Sequence, residues 1–380
     1  MKLSAKYICL FCFILFFNSS CKFHKENVRT KANISTSESI FLKYAKNINI
    51  QKNKDYVLVN IKDPWNKGHL LHSYILIQDG QKVPKNINGT IIHTPIDNII
   101  VYSSVHLSMI NDLGEISKVK GACETKYITS DKIIQLIRQG KISDVGKSTS
   151  PNLETIIDLK GKVIIASPFQ NSDYGSIKKL NIPIIESADY MENNPLGRCE
   201  WIKFFGLLLN REKEADSLFN SVESNYLYLK QLVEKEEYIP TVISEKKYGG
   251  TWFVPAGESY MSNFFKDAGA NYFYKNTKGT GSKALTFESV LEKCINSDFW
   301  LIKYYAENNM TYNSLKQEYT PYSNFKAFKN KTIYGCNTIR NSYYDDITIH
   351  PDYILKDLIS IFHPNLLPKY NRRYFKKITD

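Results

Sequence analysis

The sequence predicts an α/β protein of two lobes bridged by a single long helix, with a small β-rich addition ahead of the first lobe. Three observations carry this. Continuous β-branched runs alternate with capped amphipathic segments on both sides of the middle of the chain. Between them, residues 211–237 keep helical apolar spacing with no Gly or Pro. The length, 380 residues at 43% hydrophobic and 23% charged, is ample for two globular units. Low-complexity tracts and repeats of solenoid period do not occur, which argues against arrays and disorder.

The chain starts with a basic head, Lys2 and Lys6, and then YICLFCFILFF (7–17). That run of 11 apolar residues is too short to span a bilayer as a helix and suits the core of a signal peptide. NSSC (18–21) follows and resembles a lipobox, with Asn18 where leucine is usual. The resemblance implies removal of residues 1–20 and a lipid on Cys21. Residues 21–38, polar and basic, read as a stalk between lipid and domain. The expected location is the cell envelope, lipid-anchored, on the periplasmic face of the inner membrane. No later stretch is long and apolar enough for a membrane-spanning helix.

The formal charge is +12, or +10 without Lys2 and Lys6. An exported basic protein meets anionic membranes and anionic ligands far more than nucleic acid, and the lysines are scattered rather than massed in a block. Cys123, Cys199, Cys294 and Cys336 could form two disulfides in three connectivities. Cys199 and Cys294 lie in apolar helical patterns, so buried free thiols are expected. Beyond Cys21 there is no C-x-x-C, and a zinc site is not expected.

The elements follow in order. YVLVNI (56–61), YILIQDG (74–80) and GTIIHTP (89–95) read as strands of a small antiparallel element. NIIVYSS (98–104), KVIIAS (162–167) and IPIIES (182–187) read as strands buried on both faces. SDKIIQLIRQG (130–140) is a helix with Asp131 in its first turn and Gly140 past its end. Pro195 starts a helical stretch that LGRCEWIKFFGLLL continues. The 211–237 segment would then be about 40 Å long at 1.5 Å per residue. After Pro240, TVISE, DFWLIKYY and KTIYGC are strands. SYMSNFFKDAG and TFESVLEKCINS are helices, the latter capped by Thr286, and HPDYILKDLISIFHP closes the series with Pro351 in its first turn. The expected division is 39–209 for the first lobe, 210–237 for the bridging helix and 238–380 for the second lobe.

Four segments together resemble the periplasmic binding proteins of ABC importers for iron–siderophore complexes, haem and cobalamin. They are IIVYSSVHLSMINDLG (99–114), DVGKSTSPNLETIIDLKGKVIIAS (144–167), FVPAGESYMSNFFKDAGANYFY (253–274) and HPDYILKDLISIFHPNLLP (350–368). The resemblance covers roughly residues 95–365, and the β-rich stretch 39–93 is not expected in the smallest members of that class, which leaves its role open. It implies two Rossmann-like lobes, no catalysis, and delivery of a small-molecule ligand to a permease dimer with its ATPase subunits. It also implies one docking carboxylate per lobe, here Glu154 and Glu258, set against permease arginines. Each of the two falls near an expected helix start, where the dipole favours a carboxylate and an arginine fork would find it held in place. A monomer is expected, bound to the membrane only through its lipid, with no covalent group beyond that lipid.

Ligands of open α/β sheets bind beyond the carboxyl ends of the strands. Tyr102, Tyr174, Tyr248, Trp252, Arg340 and Tyr343 fall there and are the candidate ligand contacts, drawn from a chain with 26 tyrosines. Aromatics with a basic group suit haem, an iron chelate or cobalamin. Rival chemistries leave weaker traces. SSVH (103–106) puts serines near His106 but at a spacing that rarely converges, and there is no G-x-S-x-G for an exported hydrolase. GTGS (279–282) lacks P-loop spacing and reads as a turn. HLLH (69–72) and His350 are the nearest approach to a direct Zn or Mn site, but they fall in the β-rich start and ahead of the last helix. A surface adhesion or scaffold lipoprotein would have no ligand cleft.

Overall fold

The structure, a computed structural model, describes residues 38–84, 87–171 and 173–380. Cys21, the signal segment and nearly all of the stalk lie outside them. The N-terminal addition is a sheet of β1 (Glu38–Ile40), β2 (Ile48–Lys52), β3 (Val57–Lys62), β4 (Leu70–Gln78) and β5 (Thr90–Thr94), in that order. It is not wholly antiparallel. β5 pairs parallel to β4, Tyr74 opposite Thr90, so the two strands are not the arms of a tight-turn hairpin. Burial alternates along the strands, so one face, including Ile50, Val59, Ile61 and Ile92, enters the main core.

The first lobe continues with β6 (Ile99–Val101), α1 (Ser104–Asp112), β7 (Val119–Ala122), α2 (Asp131–Arg138) and β8 (Ser143–Asp144). A two-stranded ribbon of β9 (Gly146–Lys147) and β10 (Ser150–Pro151) leads to α3 (Leu153–Asp158), β11 (Val163–Ala166) and β12 (Ile184–Glu186). The sheet order is β12-β11-β6-β7-β8, parallel throughout. Its central strands are wholly buried, as continuous β-branched runs require.

Helices α4 (Pro195–Glu200) and α5 (Ile202–Leu209) lead into α6 (Glu212–Val233), about 33 Å long. It ends four residues before the expected 237, where Glu234, Glu236 and Glu237 crowd carboxylates onto the negative end of the helix dipole. Ala215, Phe219, Val222, Tyr226, Leu229 and Val233 form its buried stripe. Gly206 lets α5 lie close against it, since a Cβ there would sit 2.7 Å from that of Ala215.

The second lobe contains β13 (Thr241–Ser244), β14 (Lys247–Tyr248), β15 (Thr251–Pro255), α7 (Tyr260–Asp267), β16 (Asn271–Tyr272), β17 (Ser282–Leu285) and α8 (Phe287–Cys294). After these come β18 (Phe299–Tyr304), α9 (Tyr312–Glu318), α10 (Lys326–Lys329), β19 (Ile333–Asn337), α11 (Tyr343–Asp346), α12 (Pro351–Phe362) and β20 (Lys376–Lys377). The main sheet runs β16-β13-β18-β19-β20 and is parallel except for β20. A separate antiparallel sheet, β14-β15-β17, stands beside it. Cys123, Cys199, Cys294 and Cys336 are buried free thiols. Among the described residues no helix is long and apolar enough to cross a membrane.

Candidate functional site: the cleft between the lobes

The strand ends build the site. β6 leads into Tyr102 and Ser103, β11 is followed by Phe169, β13 by Glu245, and β18 ends at Tyr304 with Tyr305 next. All of them line one cleft, as expected for ligands beyond the carboxyl ends of open sheets. It has a main chamber of about 1200 Å³ and a side chamber of about 680 Å³, which share Glu245, Lys303, Tyr304, Tyr305 and Tyr344. Several exposed aromatic side chains line it: Phe169, Tyr248, Phe253, Tyr305 and Tyr344.

The charges of the floor are paired. Lys303 Nζ and the Glu245 carboxylate meet at short range, both largely withdrawn from solvent. Burial acts to lower the lysine pKa, but the Glu245 charge overrides it, so Lys303 is held well above its usual range. Glu245 adopts a left-handed backbone, φ 64°. That costs a non-glycine residue strain, and Leu301 O and Trp300 Nε1 hold it there by accepting from its N–H and donating to its carbonyl. Nearer the mouth, Lys246 pairs with Glu318 at 2.5 Å, and Lys247 lies 3.8 Å from the centre of the Tyr319 ring.

The candidate contacts divide. Tyr102 lines the side chamber. Its hydroxyl is buried with no hydrogen-bond partner, and burial pushes its pKa up. Tyr248 lines the main chamber and is 85% exposed. Trp252 does not reach the cleft. It is fully buried, stacked on Trp300 at 5.5 Å, with its Nε1–H donating to Ser244 O. On β15 side chains alternate, so the cleft receives Phe253 instead. Tyr343 is likewise buried, its hydroxyl directed at Met261 Sδ, and Tyr344 faces the cleft. Tyr174 donates to Glu186 Oε1 at 2.9 Å, packs with the smaller core cluster and is not among the lining residues. Arg340 is exposed and its guanidinium donates to the carbonyl of Glu307, outside the lining. The basic group of the floor is Lys303, which its strand position made readable as buried but not as cleft-facing.

Glu154 stands in the first turn of α3, exposed and without a hydrogen bond or ion pair to another described residue, after Asn152 caps the helix. Glu258 precedes α7. It accepts from Gly279 N–H at 2.9 Å and pairs with the exposed Lys278 at 3.3 Å, and these hold its carboxyl below the usual range. His106 is buried in α1 with its Nε2 on Asp189 (3.1 Å), and His72 bridges β4 to Thr90 and Glu186. No cluster of three or more His, Cys, Asp or Glu able to hold a metal occurs among the described residues.

Comparison with known families places the chain. The family described as periplasmic binding protein matches residues 99–338. The chain belongs to the periplasmic binding protein family. This binding protein is 30% identical to an uncharacterised lipoprotein of Methanocaldococcus jannaschii, over 94% of its own length and 92% of that protein. Its fold is similar to that of the periplasmic haem-binding protein HutB of Vibrio cholerae, with a TM-score of 0.58 at 15% identity over 71% of this chain and all of HutB. An ABC-type Fe3+-hydroxamate transport protein of Saccharomonospora viridis gives 0.55 at 16% identity, over 71% of this chain and 94% of that one. The family match to this binding protein begins at Ile99, so its five-stranded N-terminal sheet lies ahead of it.

Proposed function

We propose that this periplasmic binding protein is the lipid-anchored solute-binding component of an ABC importer, acylated at Cys21 and working as a monomer at the outer face of the inner membrane. Its cargo is an iron chelate, a siderophore complex or haem, or a corrinoid, captured between the lobes and passed to the permease dimer and its ATPase subunits. The observation that carries this reading is the aromatic cleft of about 1200 Å³ at the strand ends, with its lysines already partnered. A cavity of that size suits a bulky ligand buried by ring faces. A bare divalent ion would need a tight set of anionic or imidazole donors, and this lining offers phenols, thioethers and paired carboxylates. HutB binds haem and the Saccharomonospora protein belongs to a hydroxamate system, which fits a chelated rather than a bare cargo.

Because Lys303 and Lys246 are offset by Glu245 and Glu318, a cargo of low net charge enters without breaking a pair. The test is equilibrium binding of a neutral ferric trihydroxamate against a trianionic ferric tricatecholate. The neutral complex is expected to bind more tightly, and a preference for the trianion would contradict the proposed cargo chemistry. Glu154 and Glu258 are the proposed permease contacts, one on each lobe.

A further inference from the structure

The N-terminal sheet lies ahead of the family match and poses a question that the cargo reading alone does not answer. Its attachment is firm. The carboxylate of Glu200 accepts from the backbone N–H groups of Lys43, Tyr44 and Ala45 at 2.7–2.8 Å. Glu192 accepts from those of Lys46 and Asn47 at 2.8–3.1 Å and from Trp201 Nε1 at 3.1 Å. Two buried carboxylates thus grip the whole β1–β2 connection and fix the sheet to α4 and the segment before it. Gly197 permits the approach, since a Cβ there would lie 3.0 Å from Tyr44 O.

From this fixed sheet the β3–β4 loop reaches the cleft. Trp65, at its tip, lines the main chamber together with Phe169 and Gln170, and Tyr248 and Phe253 of the second lobe line the same chamber. The loop is held in shape. Asp63 Oδ1 accepts from Trp65 N–H at 2.9 Å and Asn66 N–H at 3.0 Å. The backbone closes it with Asp63 N–H to His69 O at 2.9 Å and His69 N–H to Asn66 O at 3.1 Å. A part-exposed indole on a pre-shaped loop is an aromatic contact whose ordering cost is already met by the fold.

We propose that the N-terminal sheet is a third wall of the cargo cleft and that Trp65 is a ligand-contacting residue delivered by it. The inference rests on the cleft being the cargo site. It assigns to the added sheet a role in selecting cargo by ring stacking, so the chamber is built from three elements rather than two.

The four tryptophans make the test direct. Trp201, Trp252 and Trp300 are fully buried, so acrylamide quenching of the native chain reports on Trp65. The protein, lacking residues 1–20, is titrated with haem, cobalamin, a ferric trihydroxamate and a ferric tricatecholate. With whichever probe binds, saturation should shield Trp65 from acrylamide, and Trp65→Ala should bind that probe about ten-fold more weakly with an unchanged unfolding midpoint. Asp63→Ala, which frees the loop but keeps the indole, should also weaken binding, and Asp63→Asn, which keeps an acceptor, should restore it. Wild-type affinity in Trp65→Ala, or undiminished quenching in the loaded protein, would overturn the proposal while leaving the cargo reading intact. If the wild type binds none of these probes, the cargo reading fails and this inference falls with it.

Discussion

At the scale of the residue, the account turns on which of two neighbours faces the cleft. Trp252 and Tyr343 read as cleft aromatics in the sequence, and in each case the next residue, Phe253 or Tyr344, is the one that lines it. The two predictions for β15 therefore differ in kind. Phe253→Ala should lower affinity for the cargo probe with little change in the denaturation midpoint, whereas Trp252→Ala should destabilise the fold by about 3–5 kcal/mol because it empties a packed site. Chemical denaturation and equilibrium binding on both variants separate them. Loss of binding without loss of stability in Trp252→Ala would contradict the assignment. The sequence made the strand and its aromatic character legible but not its phase. A one-residue shift on a strand exchanges the faces, and TWFVP places large apolar residues on both. Lys303 was hidden for a related reason. In DFWLIKYY it follows a buried run, and only Glu245, from another strand end, makes a charge at that depth tolerable.

At the scale of the element, carboxylates tie distant backbone to the helices. Asp357, inside α12, accepts from the N–H groups of Arg373, Tyr374 and Phe375 at 2.8–2.9 Å and from Tyr370 Oη at 2.9 Å. Asp357→Ala should strand those donors and release the C-terminal segment, at a cost of about 3 kcal/mol or more. Hydrogen exchange of residues 370–378 checks this, with fast exchange confined to that segment as the expected outcome. The proposed docking carboxylates also belong here. Glu154 carries no partner among the described residues, while Glu258 would have to exchange Lys278 for a permease arginine in the proposed docking. Charge reversal at both should abolish transport in a reconstituted importer and leave cargo binding intact, and normal transport in the double variant would return both to ordinary surface groups. The helices, strands and the order of the two lobes were legible because their apolar periods are long and their caps explicit, as with Thr286 and Pro351. The parallel β4–β5 pairing was not, since apolar alternation shows which face of a strand is buried but not the direction in which it pairs.

At the scale of the whole molecule, the buried carboxyls set a pH signature. Burial raises the pKa of Glu192, Asp345, Asp352 and Asp357 above ordinary values. A raised carboxyl binds its proton more tightly in the fold than in the unfolded chain. Its contribution is therefore fully present below the unfolded value of about 4 and is lost as pH rises through the folded one. Asp189 has the opposite sign. Burial opposes it, but His106 and Arg198 hold it below its ordinary value, so its contribution is lost only as pH falls through that lowered value. Denaturant unfolding should thus show stability falling as pH rises from about 4 through the raised folded values, and falling again below about 4 as Asp189 is protonated, and a profile with no loss on the upward side would contradict the raised set. The α6 spine packed against α5 and α12 restricts hinge motion, so cargo capture should proceed with small closure. The cleft is proposed to hold a chelate rather than a bare ion. Native mass spectrometry of the chain lacking residues 1–20, against haem, cobalamin, ferric siderophores, Zn2+ and Mn2+, tests it most directly. A one-to-one complex with at least one of the chelates or the corrinoid is the predicted result, and tight binding of Zn2+ or Mn2+ with none of the others would contradict it.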